Sequence, residues 1–241
     1  MIISEQVGLS KALQMIIADI PSKADQQQLL QAAVEEISNY IEQYRDSIRR
    51  GAKKTDALKG FFDLMNDITE NFPQDIKSII TCTKGCAFCC RWNVEVLKTE
   101  AQLILEYCRQ NGIQIDQSYL KLQAELTNEN HMFSVHARCI FLDPKTNTCN
   151  IYAVRPSGCR NFFSGGDPDL CNGVKHPHGT IPVFADIELE AVASALISVD
   201  QEHDSMARML LRELNPQPVS INRLIDDDED DFKDDDDFED D

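Results

Sequence analysis

The segment "TCTKGCAFCCRW", residues 81–92, restricts what this chain can be more than any other part of it. Four cysteines occupy nine positions in the spacing C-x3-C-x2-C-C: Cys82, Cys86, Cys89 and Cys90. Thiolates this close together repel one another unless a cation or a covalent bond offsets the repulsion. A divalent metal ion does so, and it deprotonates the thiols as it binds. The crowding therefore predicts a metal-binding segment.

Five further cysteines bring the total to nine: Cys108, Cys139, Cys149, Cys159 and Cys171. The number is odd, and the sequence shows no export signal, so metal binding is favoured over a disulfide framework. Cys108 falls on the apolar face of a predicted helix, where a free cysteine behaves as a small hydrophobic residue. The other eight thiols are the candidate metal ligands.

The number of metal ions stays open at this stage. Spacings of two and three residues allow Cys82, Cys86 and Cys89 to converge on one ion, but adjacent side chains diverge, so Cys89 and Cys90 need not share it. Eight thiols fit two four-sulfur sites or one cluster with spare thiols, holding zinc or iron, including an iron–sulfur cluster. Nearby histidines are further candidates: His131, His136, His176 and His178.

Apolar residues recur at helical spacing on both sides of the cysteines, which predicts a mainly α-helical chain with a loop-rich, cysteine-rich, metal-stapled centre. Helices are expected near 4–20, 24–50, 55–72, 99–111 and 187–214. Between the last two of these helices, residues 139–152, "CIFLDPKTNTCNIY", predict a short β-hairpin, because two apolar runs flank turn-forming residues. Thr99 and Gln102 fit a capping box, and Gly51 and Gly112 fit helix ends.

This pattern divides the chain into four parts: a helical segment at 1–75, a metal-binding domain at 76–182, a helical segment at 183–222 and a disordered acidic tail at 223–241. Residues 226–241 hold 13 acidic residues and one lysine, so they carry −12 of the net charge of −18. Such a run cannot bury enough apolar surface to fold. The acidic balance argues against nucleic-acid binding, and no apolar stretch is long enough to cross a membrane. We expect a cytoplasmic protein.

Longer motifs resemble a known family. "CTKGCAFCC" is followed by "VEVLKTEAQLI", which enters a helix with an early glutamate, and then by "CIFLD", "TCNIYAVRPSGCRNF" and one more cysteine. Together they resemble the YkgJ-type cysteine-cluster family, a zinc- or iron-chelating domain, over about residues 80–172. The resemblance rests on Leu142, Ile151, Tyr152, Arg155, Pro156 and Arg160 as well as on the cysteines. With the spacing, it implies as metal ligands Cys82, Cys86, Cys89, Cys90, Cys139, Cys149, Cys159 and Cys171.

Arg155 and Arg160 lie beside cysteines in "YAVRPSGCR". A cation there would offset the charge of thiolates, lower thiol pKa values and donate hydrogen bonds to sulfur. Alternatively, both arginines would pair with carboxylates elsewhere. The sequence leaves the two interpretations open.

Three functions fit these features. The first is a metal-binding protein whose metal is structural or carried. The alternative is an iron–sulfur-dependent enzyme such as a protein lysine N-methylase-like methyltransferase. "CTKGCAFC" also resembles the radical S-adenosylmethionine signature, and the family's relatives include flagellin lysine N-methylases. The third is an interaction module that binds a protein partner through the helical arms or the acidic tail. No catalytic triad, P-loop or other catalytic residue stands out, so the sequence identifies no reaction.

Overall fold

The computed structural model describes residues 8–83, 85–126, 138–172, 175–176, 181 and 183–216. The acidic tail lies outside these residues. The described part is mainly helical, as predicted. Its helices are α1 Lys11–Ala18, α2 Lys23–Arg49, α3 Lys54–Glu70, α4 Gln74–Ile79, α5 Lys98–Gln110, α6 Gln117–Leu126, α7 Ser157–Arg160, α8 Ile187–Val199 and α9 Met206–Leu214. Its strands are β1 Glu95–Leu97, β2 Leu142–Asp143, β3 Thr148–Cys149, β4 Phe163–Ser164, β5 Val183–Phe184 and β6 His203–Ser205.

Helices α2 and α3 form within two residues of their predicted bounds. The side chain of Ser22 accepts a hydrogen bond from the backbone N–H of Asp25, which caps the start of α2. Gly51 ends it with a φ of +94°, a conformation that glycine adopts without steric cost. The buried face of α2 carries Ile37, Ile41 and Tyr44, as the apolar spacing predicted. The first helix begins later than expected, at Lys11.

The hydrophobic core combines helices from both sides of the cysteine-rich segment. Helix α2 packs mainly against α8, and α3 packs against both α5 and α8. Fully buried side chains come from the N-terminal, central and C-terminal parts of the chain alike: Leu13, Ile37, Leu58, Met65, Leu103, Ile104, Leu189, Leu196 and Met209. The cysteine-rich segment is therefore anchored at both ends to one core. Among the described helices, none has the length and apolarity needed to cross a membrane.

The prediction of an unbroken helix over 187–214 is wrong. Helix α8 ends at Val199, and β6 then pairs antiparallel with β1, placing Glu95 opposite Ser205 and Leu97 opposite His203. The sequence between the two helices is polar, and the Ser205 hydroxyl accepts a hydrogen bond from the backbone N–H of Arg208 to start α9. His203, expected on a helix, therefore lies in a strand.

Two further local features differ from expectation. The N-terminal cap of α5 is not formed by Thr99 and Gln102. The helix starts at Lys98, and the carboxylate of Glu100 accepts a hydrogen bond from the backbone N–H of Leu97. Helix α6 was not predicted, although Asp116 accepts hydrogen bonds from the backbone N–H groups at its start.

A buried carboxylate connects α8 to the first helix and to the end of α7. Glu190 is 2% exposed and accepts hydrogen bonds from the Ser10 hydroxyl at 2.6 Å and from the Asn161 amide at 3.0 Å. The backbone N–H of Ser10 in turn donates to the Ser194 hydroxyl. Burial raises the pKa of Glu190 above its ordinary value of 4.5.

This shift predicts a pH dependence of stability. Because the pKa of Glu190 is higher in the folded than in the unfolded chain, its contribution is fully present below about pH 4.5 and is lost as the pH rises through the folded value. Glu190→Gln is expected to flatten the fall in the free energy of unfolding as the pH rises above about 4.5, measured by urea denaturation. The exposed Glu35→Gln is the control, and an equal flattening in both variants would contradict the assignment.

Candidate metal centre

The C-x3-C-x2-C-C segment lies in the loop between α4 and β1. Gly85 has a φ of +91°, which allows the chain to turn sharply between Cys82 and Cys86. A short 3-10 turn, Cys89–Arg91, follows. The backbone carbonyl of Cys90 accepts a hydrogen bond from the N–H of Cys139 at 2.6 Å, so this loop is joined directly to the second cysteine segment.

The predicted hairpin at residues 139–152 is confirmed, and it includes Cys139 and Cys149. Strands β2 and β3 pair antiparallel with Leu142 opposite Cys149. Asn147, with a φ of 53°, forms the turn, a backbone conformation in which asparagine is enriched. The N–H of Leu142 donates to the carbonyl of Cys139. The hairpin therefore brings Cys139 and Cys149 to the same end, despite nine residues between them.

Cys159 lies in the short helix α7, which a buried carboxylate fixes against α5. Glu100 is 1% exposed, and its carboxylate accepts hydrogen bonds from the N–H of Leu97 at 2.9 Å and from that of Ser157 at 2.7 Å. One side chain thus satisfies the first backbone donors of two helices. Burial raises the pKa of Glu100. Sequence reasoning noted an early glutamate in this helix but assigned it no role.

Four cysteines form a set that we call the inner cysteines: Cys89, Cys139, Cys149 and Cys159. Burial raises the pKa of Cys159 well above its ordinary value, and charge on the other three inner sulfurs raises it further. Burial raises the pKa of Cys139 to about 12. Cys89 is exposed as a residue, and the largest cause of its raised pKa is a hydrogen bond with Cys90. The four thiols are therefore near enough for the charge of each to oppose ionisation of another.

Three cysteines form a second set, the outer cysteines: Cys82, Cys86 and Cys171. The sulfur of Cys82 accepts a hydrogen bond from the N–H of Ser164 at 3.2 Å, which ties the loop to β4. Burial raises the pKa of Cys82, and charge on Cys86, Cys89 and Cys171 raises it further. Cys89, an inner cysteine, therefore also lies near Cys82 of the outer set. Cys90 is its neighbour in the sequence.

The thiols are neighbours without forming a coordination sphere. In the described ranges, no three cysteine, histidine, aspartate or glutamate side chains are arranged so that they could hold one metal ion. Cys108 lies apart from both sets, 2% exposed on the buried face of α5, as expected. Burial raises its pKa to about 11.

Only one of the four candidate histidines, His176, lies among the described residues. His131, His136 and His178 lie outside the described residues. The Nε2 atom of His176 is 3.3 Å from a carboxylate oxygen of Asp169, which also pairs with Lys175. The structure therefore gives His176 a carboxylate neighbour.

Arg155 is a cation whose charge acts on three of the inner cysteines. Its charge lowers the pKa values of Cys89, Cys149 and Cys159, against the larger effects that raise them. Its guanidinium carbon lies 4.2 Å from the centre of the exposed Tyr152 ring. Its Nε atom is buried, and no described residue accepts a hydrogen bond from it. A buried donor of this kind beside thiols suits a sulfur acceptor that carries negative charge.

Arg160 has a role that neither sequence-based interpretation included. Its guanidinium is buried and donates to three oxygens: the carbonyls of Arg155 and Ala153 at 2.9 and 2.8 Å, and the Asn66 side chain at 2.7 Å. It also lies over the Phe62 ring at 4.2 Å. Burial lowers the pKa of Arg160 to about 10. Arg160 therefore attaches the turn before Cys159 to α3.

The donor chemistry fits zinc or iron. All eight candidate ligands are thiols, the soft ligands that zinc and iron–sulfur centres take. Arg155 supplies a neighbouring positive charge and an unused donor. The backbone N–H of Ser164 already bonds to the sulfur of Cys82.

Comparison with known proteins agrees with this chemistry. Residues 81–172 match the CxxCxxCC family, described as "Putative zinc- or iron-chelating domain". The match confirms the resemblance seen in the sequence motifs and supports binding of a metal ion. It includes all eight candidate cysteines and excludes the flanking helices. Searches of curated proteins and of solved structures found no match to the chain.

Proposed function

We propose that this chain, through its CxxCxxCC domain, is a zinc- or iron-binding protein in which the metal fixes a loop-rich centre onto a helical core. One observation supports this most: cysteines from separate stretches of the chain adjoin one another in a region with little regular structure of its own. Strands β2 to β5 have only two residues each. Structural four-thiolate metal sites supply folding free energy in such regions.

The proposed domain division follows from this role. Residues 76–182 would be the metal-binding domain, with helical segments at 1–75 and 183–222 and the acidic tail at 223–241. Because α2 and α8 pack together, the two helical segments provide one support for the metal-binding domain. The thiols must stay reduced to bind metal, so we propose that the protein works in the cytoplasm.

The inner cysteines, and the outer cysteines together with Cys90, would each supply four thiols to one ion. We assign the inner cysteines to one ion, and the outer cysteines with Cys90 to the other. Four thiolates around a divalent ion leave two negative charges in a partly buried place, and such charge is costly without compensation. Arg155 would provide that compensation at the inner set, by charge and by the hydrogen bond that its Nε atom does not make within the protein. Glu100 and Arg160 position the Cys159 turn without touching the metal.

Bound zinc would supply folding energy alone, whereas an iron–sulfur cluster would also exchange electrons. The protein's own contribution is the same in either case. It holds the loop, the hairpin and α7 so that their thiols are neighbours, and it keeps the Arg155 charge beside them.

The deciding experiment is metal analysis with a visible spectrum, on the full chain purified without oxygen and without a metal-binding tag. We expect stoichiometric zinc or iron in the chain, retained by the Cys108→Ser variant and diminished by Cys86→Ala. Colourless protein with stoichiometric zinc would support the closed structural site. Brown protein with iron and acid-labile sulfide would support a cluster and direct the next assay to S-adenosylmethionine binding, the methyltransferase alternative. Protein without stoichiometric metal, or equal loss in both variants, would overturn the proposal.

A further inference from the structure

The turn between α2 and α3 carries positive charge in an otherwise acidic protein. We call the exposed residues Arg50, Lys53 and Lys54 the basic corner. No carboxylate among the described residues forms an ion pair with any of the three. Neighbouring cations are already paired, Arg49 with Asp46 and Lys59 with Asp56. The basic corner therefore presents three uncompensated charges to solvent.

Side-chain contacts link the end of α9 to this corner. The carboxylate of Glu213 accepts a hydrogen bond from Gln102, one turn along α5 from Thr99. Thr99 neighbours the Tyr44 side chain, whose hydroxyl lies 3.3 Å from the carbonyl oxygen of Lys54. A short series of side chains thus connects the last turn of α9 with the basic corner.

The reach of the acidic run can be estimated from the length of the chain beyond α9. Eleven steps separate Asn215 from Asp226, the first residue of the acidic run. Extended, they would span about 36 Å, at about 3.3 Å per residue. A flexible chain of that length has a root-mean-square span of about 18 Å. The acidic run can therefore meet the basic corner of its own chain.

We propose that the acidic run, residues 226–241 within the acidic tail, docks on the basic corner of the same chain. The tail carries −12 and the corner +3, so they are complementary in charge. The linker keeps the tail at an effective concentration in the millimolar range, which favours the intramolecular contact over one with a second copy. The contact is electrostatic and sensitive to salt. Its consequence is that the basic corner is screened from other polyanions, including nucleic acids. This inference is independent of the proposed metal.

Zero-length carbodiimide cross-linking of the full chain tests the proposal, because this reagent joins a lysine amine to a carboxylate with which it is in contact. At low protein concentration and about 50 mM salt, we expect monomeric products that join Lys53 or Lys54 to residues within 226–241. Their yield should fall at least about fivefold at 1 M salt, where the Debye length is about 3 Å. Cross-links between two chains, or cross-links spread evenly over exposed lysines, would overturn docking within one chain.

A second measurement does not depend on the lysine amines. Backbone amide shifts of the full chain are compared with those of a full-length variant whose tail acids are replaced by their amides. We expect shift changes at residues 49–54, which the combined charge reversal Arg50→Glu, Lys53→Glu and Lys54→Glu abolishes. The matched control reverses three exposed lysines elsewhere, Lys23→Glu, Lys121→Glu and Lys145→Glu, and should retain the changes. Shifts that are absent, or that the control also removes, would contradict the proposal.

Discussion

Replacing Cys159 with serine is expected to reduce bound metal and to lower the melting temperature by about 10 °C or more. Structural zinc contributes roughly 10 kcal/mol or more in zinc-finger peptides, and a loss of even about 5 kcal/mol shifts the melting temperature of a chain this size by about 10–20 °C. Cys159 is half-buried and neighbours the other inner cysteines, so serine would leave that set with a weaker ligand. Metal content and thermal unfolding measure the effect.

The control is Cys108→Ser, which changes a buried thiol outside both cysteine sets. It is expected to keep the metal and to lose only the small stability that a buried polar hydroxyl costs, about 1–3 kcal/mol. A strong chelator should lower the melting temperature of the control protein to near that of Cys159→Ser. If the chelator leaves the melting temperature unchanged, a structural role for metal is refuted.

Arg160→Lys is expected to lower the free energy of unfolding by about 3 kcal/mol, although the charge is kept. Lysine cannot reach the three acceptors in the fixed planar arrangement of a guanidinium, so at least two partly buried oxygens lose their donor. Each buried acceptor without a partner costs about 1–3 kcal/mol. The flat contact with the Phe62 ring is also lost. Urea unfolding provides the measurement.

Two comparisons distinguish this contribution of Arg160 to stability from an effect on the thiols. Arg45→Lys, at an exposed ion pair with Glu42, should change the free energy of unfolding by less than about 0.5 kcal/mol. Arg155→Lys should change the reactivity of the inner thiols toward a thiol reagent more than Arg160→Lys does at equal folded fraction. If Arg160→Lys gave the larger change in reactivity, Arg160 would be a partner of the thiols after all.

Features determined by neighbouring residues could be predicted from the sequence. Helix α2 follows from apolar residues at steps of three and four with a serine before and a glycine after, and the hairpin at 139–152 follows from its turn residues. The grouping of Cys139 with Cys149 comes from that same local hairpin. The burial of Cys108 follows from its place on the apolar face of α5.

Features that depend on distant residues could not be predicted. The pairing of β1 with β6 joins segments about a hundred residues apart, and three-residue strands leave too weak a pattern to detect. The roles of Glu100 and Arg160 depend on which backbone groups lie beside them after folding, on Ser157 in one case and on Ala153 and Asn66 in the other. The split of the thiols into inner and outer sets likewise needs the three-dimensional path of the loop.

The packing of α2 against α8 also determines when the protein can fold during synthesis. About 150 residues separate the end of α2 at Arg49 from the end of α8 at Val199, so at 5–20 residues per second roughly 8–30 seconds pass between their appearances. Throughout that interval, the apolar face of α2 lacks its main partner. The whole cysteine segment, which ends at Cys171, emerges before α8 begins at Ile187. The nascent chain therefore presents all its thiols to the cell before its core can close.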